Sequence, residues 1–119
     1  PVSAPFHCAL MQPAAEEMQA ALAETKIVAP SVPVIANVRA APVSDPEEIR
    51  SLLVEQITAR VRWRESMIWL ADNAAGNLVE LGSGKVLTTM ARRIDTRLSA
   101  QAISTPDDIR AYLEENKGD

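Results

Sequence analysis

The sequence predicts an α/β fold in which a parallel sheet is flanked by helices. Three observations carry this reading. Short aliphatic runs of strand length, at 34–38, 78–81 and 98–103, alternate with longer segments whose apolar residues recur every three or four positions. Two helix starts use the same device, an oxygen-bearing cap followed by proline and acidic residues, in Asp45-Pro46-Glu47-Glu48 and Thr105-Pro106-Asp107-Asp108. Strands separated by helices pair in parallel, because a parallel connection needs a long crossover.

The chain opens on Pro1-Val2-Ser3-Ala4-Pro5-Phe6-His7-Cys8-Ala9-Leu10-Met11. Its two prolines push the residues before them towards extended backbone and predict a rigid, strand-like lead-in. A helix is predicted over 13–24, where Pro13 suits the first turn and Met11, Ala14, Ala15, Met18 and Leu22 form an apolar stripe that reads as core. Proline-broken extended chain over 27–33 leads into Val34-Ile35-Ala36-Asn37-Val38, a run expected to be a buried parallel strand. After a loop at 41–44, the next helix sets Ile49, Leu52, Leu53, Gln56 and Ile57 on one face. Gln56 is the polar member of that stripe, and a buried amide requires hydrogen-bond partners. It lies either half exposed at the helix end or facing the same cleft as His7.

The charged run 60–64 interrupts the pattern. A further helix puts Trp63, Met67, Leu70, Ala71 and Ala74 on one face and is expected to end at Gly76. A strand at 78–81, a glycine turn Gly82-Ser83-Gly84 and a helix over about 85–95 come next. An edge strand at 98–103 and a last helix from Thr105, fraying over 116–119, complete the order.

A chain of 119 residues is long enough for one domain with one core. Hydrophobic residues at 47% and charged residues at 24% are globular values, which excludes wholesale disorder. The net charge of −4 argues against nucleic acid or an anionic membrane surface as partner. The lone Cys8 cannot form an internal disulfide, which fits a reducing compartment. No apolar run reaches membrane-spanning length, and no basic-then-apolar leader is present. These features lead us to expect a soluble, cytoplasmic protein. The chain starts at a proline, without an initiator methionine, so a longer parent is expected.

His7 is the only histidine and stands where the lead-in meets the first helix. Imidazole is the side chain suited to proton transfer near neutral pH, although a lone histidine is more often a packed or surface residue. Gly82-Ser83-Gly84-Lys85 is not a phosphate loop: Val79 stands where the leading glycine is required, and Val86 where Ser or Thr belongs. A tight strand-to-helix turn remains, whose N–H groups could still meet an anion. Cys8 adjoins His7, but neighbours in an extended segment face opposite sides and do not pair. One histidine and one cysteine supply no metal set. No Gly-x-Ser-x-Gly elbow is present, so His7 has no nucleophile to serve within these residues. Arg92 and Arg93 are an adjacent basic pair, either a solvated face or a contact for an acidic partner.

Three blocks in order carry a family resemblance. They are the opening stretch through Met11; Val54-Glu55-Gln56 with Val61-Arg62-Trp63; and Leu78-Val79-Glu80-Leu81-Gly82-Ser83-Gly84-Lys85-Val86-Leu87-Thr88. Over essentially the whole chain they resemble the C-terminal portion of the malonyl-CoA:acyl-carrier-protein transacylases of bacterial type II fatty acid synthesis. Ser83 stands where that family often has proline, a change in turn stiffness alone.

The resemblance implies an α/β-hydrolase-like acyltransferase core carrying a ferredoxin-like insertion, with residues 1–119 as the core segment that follows the insertion. It implies ping-pong S-malonyl transfer through a serine in a Gly-His-Ser-x-Gly-type elbow. That serine, and an arginine for the malonyl carboxylate, would lie upstream. By position His7 becomes the general base of both half-reactions, and Gln56 helps to position it. Phe6 contributes to substrate binding and favours malonyl over methylmalonyl, while Arg92 and Arg93 contact the acidic carrier protein. The resemblance implies no metal and no tightly bound cofactor, with malonyl-CoA as substrate. The implied partners are acyl carrier protein and either the missing N-terminal half of the enzyme or a second copy. The segment is expected to be inactive alone.

Two other readings stand beside it: the acyltransferase domain of a polyketide or fatty-acid synthase, and a non-catalytic module that binds carrier protein or CoA. The closing helix and polar terminus favour a discrete protein over the first. A serine elbow and an arginine upstream of Pro1 would mark an enzyme and exclude the second.

Overall fold

The computed structural model describes residues 4–73 and 76–117. The readings that fall on Pro1, Val2, Ser3, Ala74, Gly118 and Asp119 lie outside the described residues. Where length alone suggested one core, the chain forms two compact units, Pro1–Ser66 and Met67–Asp119.

The first unit is built on a helix pair. A single 3-10 turn, Ala9–Met11, leads into α1, Gln12–Ala23, with Pro13 in its first turn, where a missing N–H does no harm. Over the described residues 4–7 the lead-in is not strand-like. Phe6 N–H donates to Ala4 O at 3.0 Å, and His7 adopts a left-handed φ of 54°. Proline constrains the residue before its own ring, so Pro5 acts on Ala4 and leaves His7 free to turn.

The 34–38 run also departs from expectation. Only Val34–Ile35 forms a strand, β1, and it pairs antiparallel with β2, Pro42–Val43, in the register Val34↔Val43. Val34 is exposed. The physical reason lies in the connection: too few residues separate the strands for a parallel crossover, whereas a short turn joins antiparallel strands directly. Ala36 O accepts from Arg39 N–H at 3.2 Å and from Ala40 N–H at 2.8 Å, and this turn reverses the chain.

The second helix of the pair, α2, spans Pro46–Thr58. Asp45 caps it, its carboxylate accepting from Glu48 N–H at 2.8 Å, with Glu47 and Glu48 at the positive end. α1 packs against α2, and the small Ala15 and the larger Leu52 are both buried. Arg50 closes the pair by donating to Thr25 O at 3.0 Å, just beyond the end of α1. The helix α3, Trp63–Asn73, carries the chain from the first unit into the second.

The second unit bears out the predicted parallel pairing. Strand β3, Asn77–Leu81, pairs in parallel with β4, Ser99–Ile103, in register from Asn77↔Ser99 to Leu81↔Ile103. The crossover is α4, Val86–Ile94, which packs on both strands. Ala91 on α4, Leu98 just before β4 and Ile103 within it are buried, Leu98 at 1% exposure. Gly76 is required by a close approach: a Cβ there would meet Arg97 O at 2.9 Å.

The loop between α4 and β4 is held by charge. Arg97 donates to Asp95 at 2.7 Å and to Asp72 at 2.8 Å, joining it to the last turns of α3. The last helix, α5, Pro106–Glu115, begins with a full capping box. Asp108 N–H donates to Thr105 Oγ1 at 3.2 Å, and Thr105 N–H donates back to the Asp108 carboxylate at 2.9 Å.

Two outcomes follow from this packing. Truncating Leu98, buried at 1% exposure, in Leu98→Ala should cost about 2–5 kcal/mol in urea unfolding, and a loss under about 1 kcal/mol would mean the site refills. The Arg97 side chain, helped by its backbone N–H, holds the Asp95 carboxyl down to about 2. A carboxyl depressed in the folded state contributes stability above its unfolded value and loses it as pH falls through about 2. Titration of Asp95 followed by NMR should therefore reach its midpoint near 2, and Arg97→Gln, which keeps the backbone N–H but removes the guanidinium, should move it up towards the ordinary carboxyl range.

Candidate active site

The end of an α-helix leaves carbonyls without intrahelical partners. In the last turn of α2, Glu55 O accepts from Ala59 N–H at 3.1 Å. The next carbonyl, Gln56 O, meets His7 Nδ1 at 2.7 Å. A carbonyl oxygen can only accept, so Nδ1 carries the ring proton of the neutral imidazole and Nε2 keeps its lone pair. The left-handed turn at His7, a conformation in which histidine is enriched, brings the ring to that carbonyl. His7 itself is exposed. The arrangement leaves Nε2 with a lone pair that can take a proton, and among the described residues none hydrogen-bonds to it.

Gln56 is half-buried and meets two partners with two different groups. Its backbone carbonyl meets His7, while its side-chain Oε1 accepts from Asn37 Nδ2 at 3.4 Å. Asn37 sits in the turn between β1 and β2, and Arg62 N–H donates to its carbonyl at 2.7 Å. Asn37 and Gln56 are the polar members of the lining of a cavity of about 190 Å³, otherwise walled by aliphatic and alanine residues of the hairpin and α2.

Of the residues singled out in the sequence, Phe6 is 56% exposed beside His7. The Cys8 thiol donates to Pro5 O at 3.2 Å and so turns back on its own loop. Arg92 and Arg93 are exposed in the last turn of α4, in the second unit, where positive charge complements the carbonyl end of the helix. The anion that meets the amino end of α4 is the chain's own. Glu80 accepts from Leu87 N–H at 3.2 Å and from Thr88 N–H at 2.7 Å. The glycine turn therefore serves as a strand-to-helix connection, with Gly82 at φ 128° and Gly84 at φ 87°.

Asn37 is the residue that sequence reasoning passed over. The available signal was an asparagine, a turn-forming residue, inside an otherwise aliphatic run. Among the described residues no group of three His, Cys, Asp or Glu could hold a metal ion. Among them, too, no helix is long and apolar enough to cross a membrane.

No protein-family model matches the sequence. The malonyl CoA-acyl carrier protein transacylase of Escherichia coli K12 is 41% identical over 114 residues, which is 96% of this chain and 37% of that protein. The crystal structure of acyl-carrier-protein-S-malonyltransferase from Bartonella henselae matches with a TM-score of 0.86 at 55% identity, covering 97% of this chain and 37% of that one. A type II PKS acyl-carrier protein in complex with its malonyl-transacylase matches with a TM-score of 0.84 at 38% identity, covering 97% of this chain and 37% of the other. The chain thus spans little more than a third of the length of these relatives. In both sequence and fold it is similar to the C-terminal portion of the malonyl CoA-acyl carrier protein transacylases.

Proposed function

We propose that these residues are the general-base portion of an S-malonyltransferase, which moves malonyl from malonyl-CoA to the phosphopantetheine thiol of an acyl carrier protein. The observation that carries the reading is the 2.7 Å contact between His7 Nδ1 and Gln56 O. It leaves Nε2 as the base, in a chain 41% identical over 96% of its length to a transacylase of that name.

On this reading a serine from chain preceding Pro1 is the nucleophile. His7 Nε2 takes the hydroxyl proton as Oγ forms a bond to the thioester carbonyl carbon. The C–S bond then breaks, and the CoA sulfur leaves with the proton returned by the imidazolium. In the second half-reaction His7 takes the proton of the carrier thiol, the new C–S bond forms, and the serine oxygen leaves with that proton. Gln56 keeps the imidazole in the tautomer that both steps require, the part a carboxylate plays in a Ser-His-Asp triad. An arginine on the preceding chain binds the malonyl carboxylate. The aromatic ring of Phe6 leaves little room for a 2-methyl branch and selects malonyl over methylmalonyl. Arg92 and Arg93 meet the acidic carrier protein. The residues form the C-terminal segment of the acyltransferase core, no cofactor is tightly bound, and the cytoplasm is the compartment that this chemistry implies.

The exposed sheet supports an incomplete assembly. Parallel sheets are ordinarily covered on both faces, yet the β3–β4 pair leaves Val79 40% and Leu81 77% exposed. The N-terminal portion of the same enzyme is the partner we assign to this segment, which is inactive without it.

The test uses the complete transferase with these residues as its C-terminal portion. Intact-mass measurement after mixing with malonyl-CoA should show a malonyl adduct whose formation slows by about 100- to 10,000-fold in His7→Ala. An unchanged rate in that variant overturns the reading. Reversing both charges in Arg92→Glu with Arg93→Glu should raise the carrier-protein concentration needed for half-saturation while leaving malonyl loading intact. Unchanged saturation removes the carrier-contact role.

A further inference from the structure

We propose that Asn37 is a positioning residue for this site, acting on His7 through Gln56. The inference rests on the general-base reading above. Gln56 lies in the last turn of α2, the part of a helix most prone to fray. Its carbonyl must stay in place for His7 Nδ1 to keep its proton, and the structure pins Gln56 by a second group, the side-chain oxygen that accepts from Asn37 Nδ2 at 3.4 Å. Asn37 is in turn a fixed post. Its own carbonyl accepts from Arg62 N–H at 2.7 Å, and the Arg62 guanidinium donates to Arg39 O at 3.3 Å within the same turn. Ala36 O, beside it, accepts from both Arg39 and Ala40 N–H. The turn that replaced the expected strand thus sets the amide that restrains the helix end, and the helix end sets the imidazole.

Loss of the Asn37 amide frees the Gln56 side chain and loosens the last turn of α2. Once its carbonyl partner is loosened, His7 can also adopt the tautomer with the proton on Nε2, and that form cannot take the nucleophile's proton at Nε2. The effect falls on proton transfer and not on binding of malonyl-CoA. It is conveyed entirely through Gln56.

The experiment uses the complete transferase with Asn37→Ala, Asn37→Asp, Gln56→Ala, and Asn37→Ala combined with Gln56→Ala. Asn37→Ala should lower kcat for malonyl transfer about tenfold, the worth of one hydrogen bond, with KM for malonyl-CoA changed by less than about twofold. The double variant should lose no more than Gln56→Ala alone, because residues acting in series are not additive. Asn37→Asp should recover kcat to within about threefold, since the Gln56 amide can turn over and donate Nε2–H to the new carboxylate. The imidazole nitrogen shifts of His7 should report the Nδ1–H tautomer in the parent and an increased Nε2–H population in Asn37→Ala.

Full activity in Asn37→Ala, or losses that add in full to those of Gln56→Ala, overturn the positioning role. If Asn37→Ala does not fold, a folded Asn37→Asp that loses more than about tenfold in kcat at unchanged KM overturns it as well. The parent reading fails separately, when His7→Ala keeps full activity. An inactive His7→Ala beside a fully active Asn37→Ala removes the positioning role alone.

Discussion

The site depends on a carbonyl that its own helix cannot use. The last turn of α2 ends with acceptors facing outward, and Gln56 O is the one that meets His7 at 2.7 Å. The link needs no carboxylate, and it selects the tautomer by acceptor chemistry alone. It also ties the lead-in loop, left-handed at His7, to an element that begins with a capped, proline-primed first turn. α2 itself is fixed by the Asp45 cap at one end, the buried Leu52 against α1, and the Asn37 amide at the other end.

The second unit uses the same economy of charge to close its ends. Carboxylates are set against backbone N–H groups at several junctions. Glu80 meets the first turn of α4, Asp108 meets Ser104 and Thr105 before α5, and Asp95 meets Arg97 before β4. In each case a strand or helix boundary would otherwise leave donors unpaired. The Asp108 carboxyl is accordingly held below its ordinary range, chiefly by the backbone donors of Ser104 and Thr105. One functional consequence is negative: with Glu80 already at its amino end, α4 is served by its own chain, and the glycine turn before it has a connecting role.

On the proposed reading His7 is a base whose nucleophile lies outside these residues, which is half of a catalytic arrangement. The sequence holds one histidine and no serine elbow, and the relatives that match it run well beyond the matched portion. The exposed Val79 and Leu81 on the two-stranded parallel sheet fit that reading from packing rather than from chemistry. In that setting the Asn37–Gln56–His7 hydrogen-bond series would orient the base. On the proposed reading the base is oriented from within this segment, and its approach to the nucleophile is left to the rest of a longer chain.

The helices were legible because their signals are local. Asp45-Pro46 and Thr105-Pro106 mark first turns through caps made within a few residues, and the apolar spacing marks the helices, although of the two stripes Ala15 and Leu52 are buried while Met18 and Leu53 are exposed. The parallel β3–β4 pair was legible for a related reason, since the intervening helix dictates the sense of the connection. The hairpin at 34–43 was not, because an aliphatic run states a preference for extended backbone and leaves the pairing partner open. The site was legible only as residue types. Histidine and glutamine could be named as candidates, but their contact spans 49 positions and is made through a main-chain carbonyl, a group that every residue carries. No side-chain pattern can encode such a contact. Only the folded chain, by ending a helix at that point and turning His7 back to meet it, decides which carbonyl holds the imidazole.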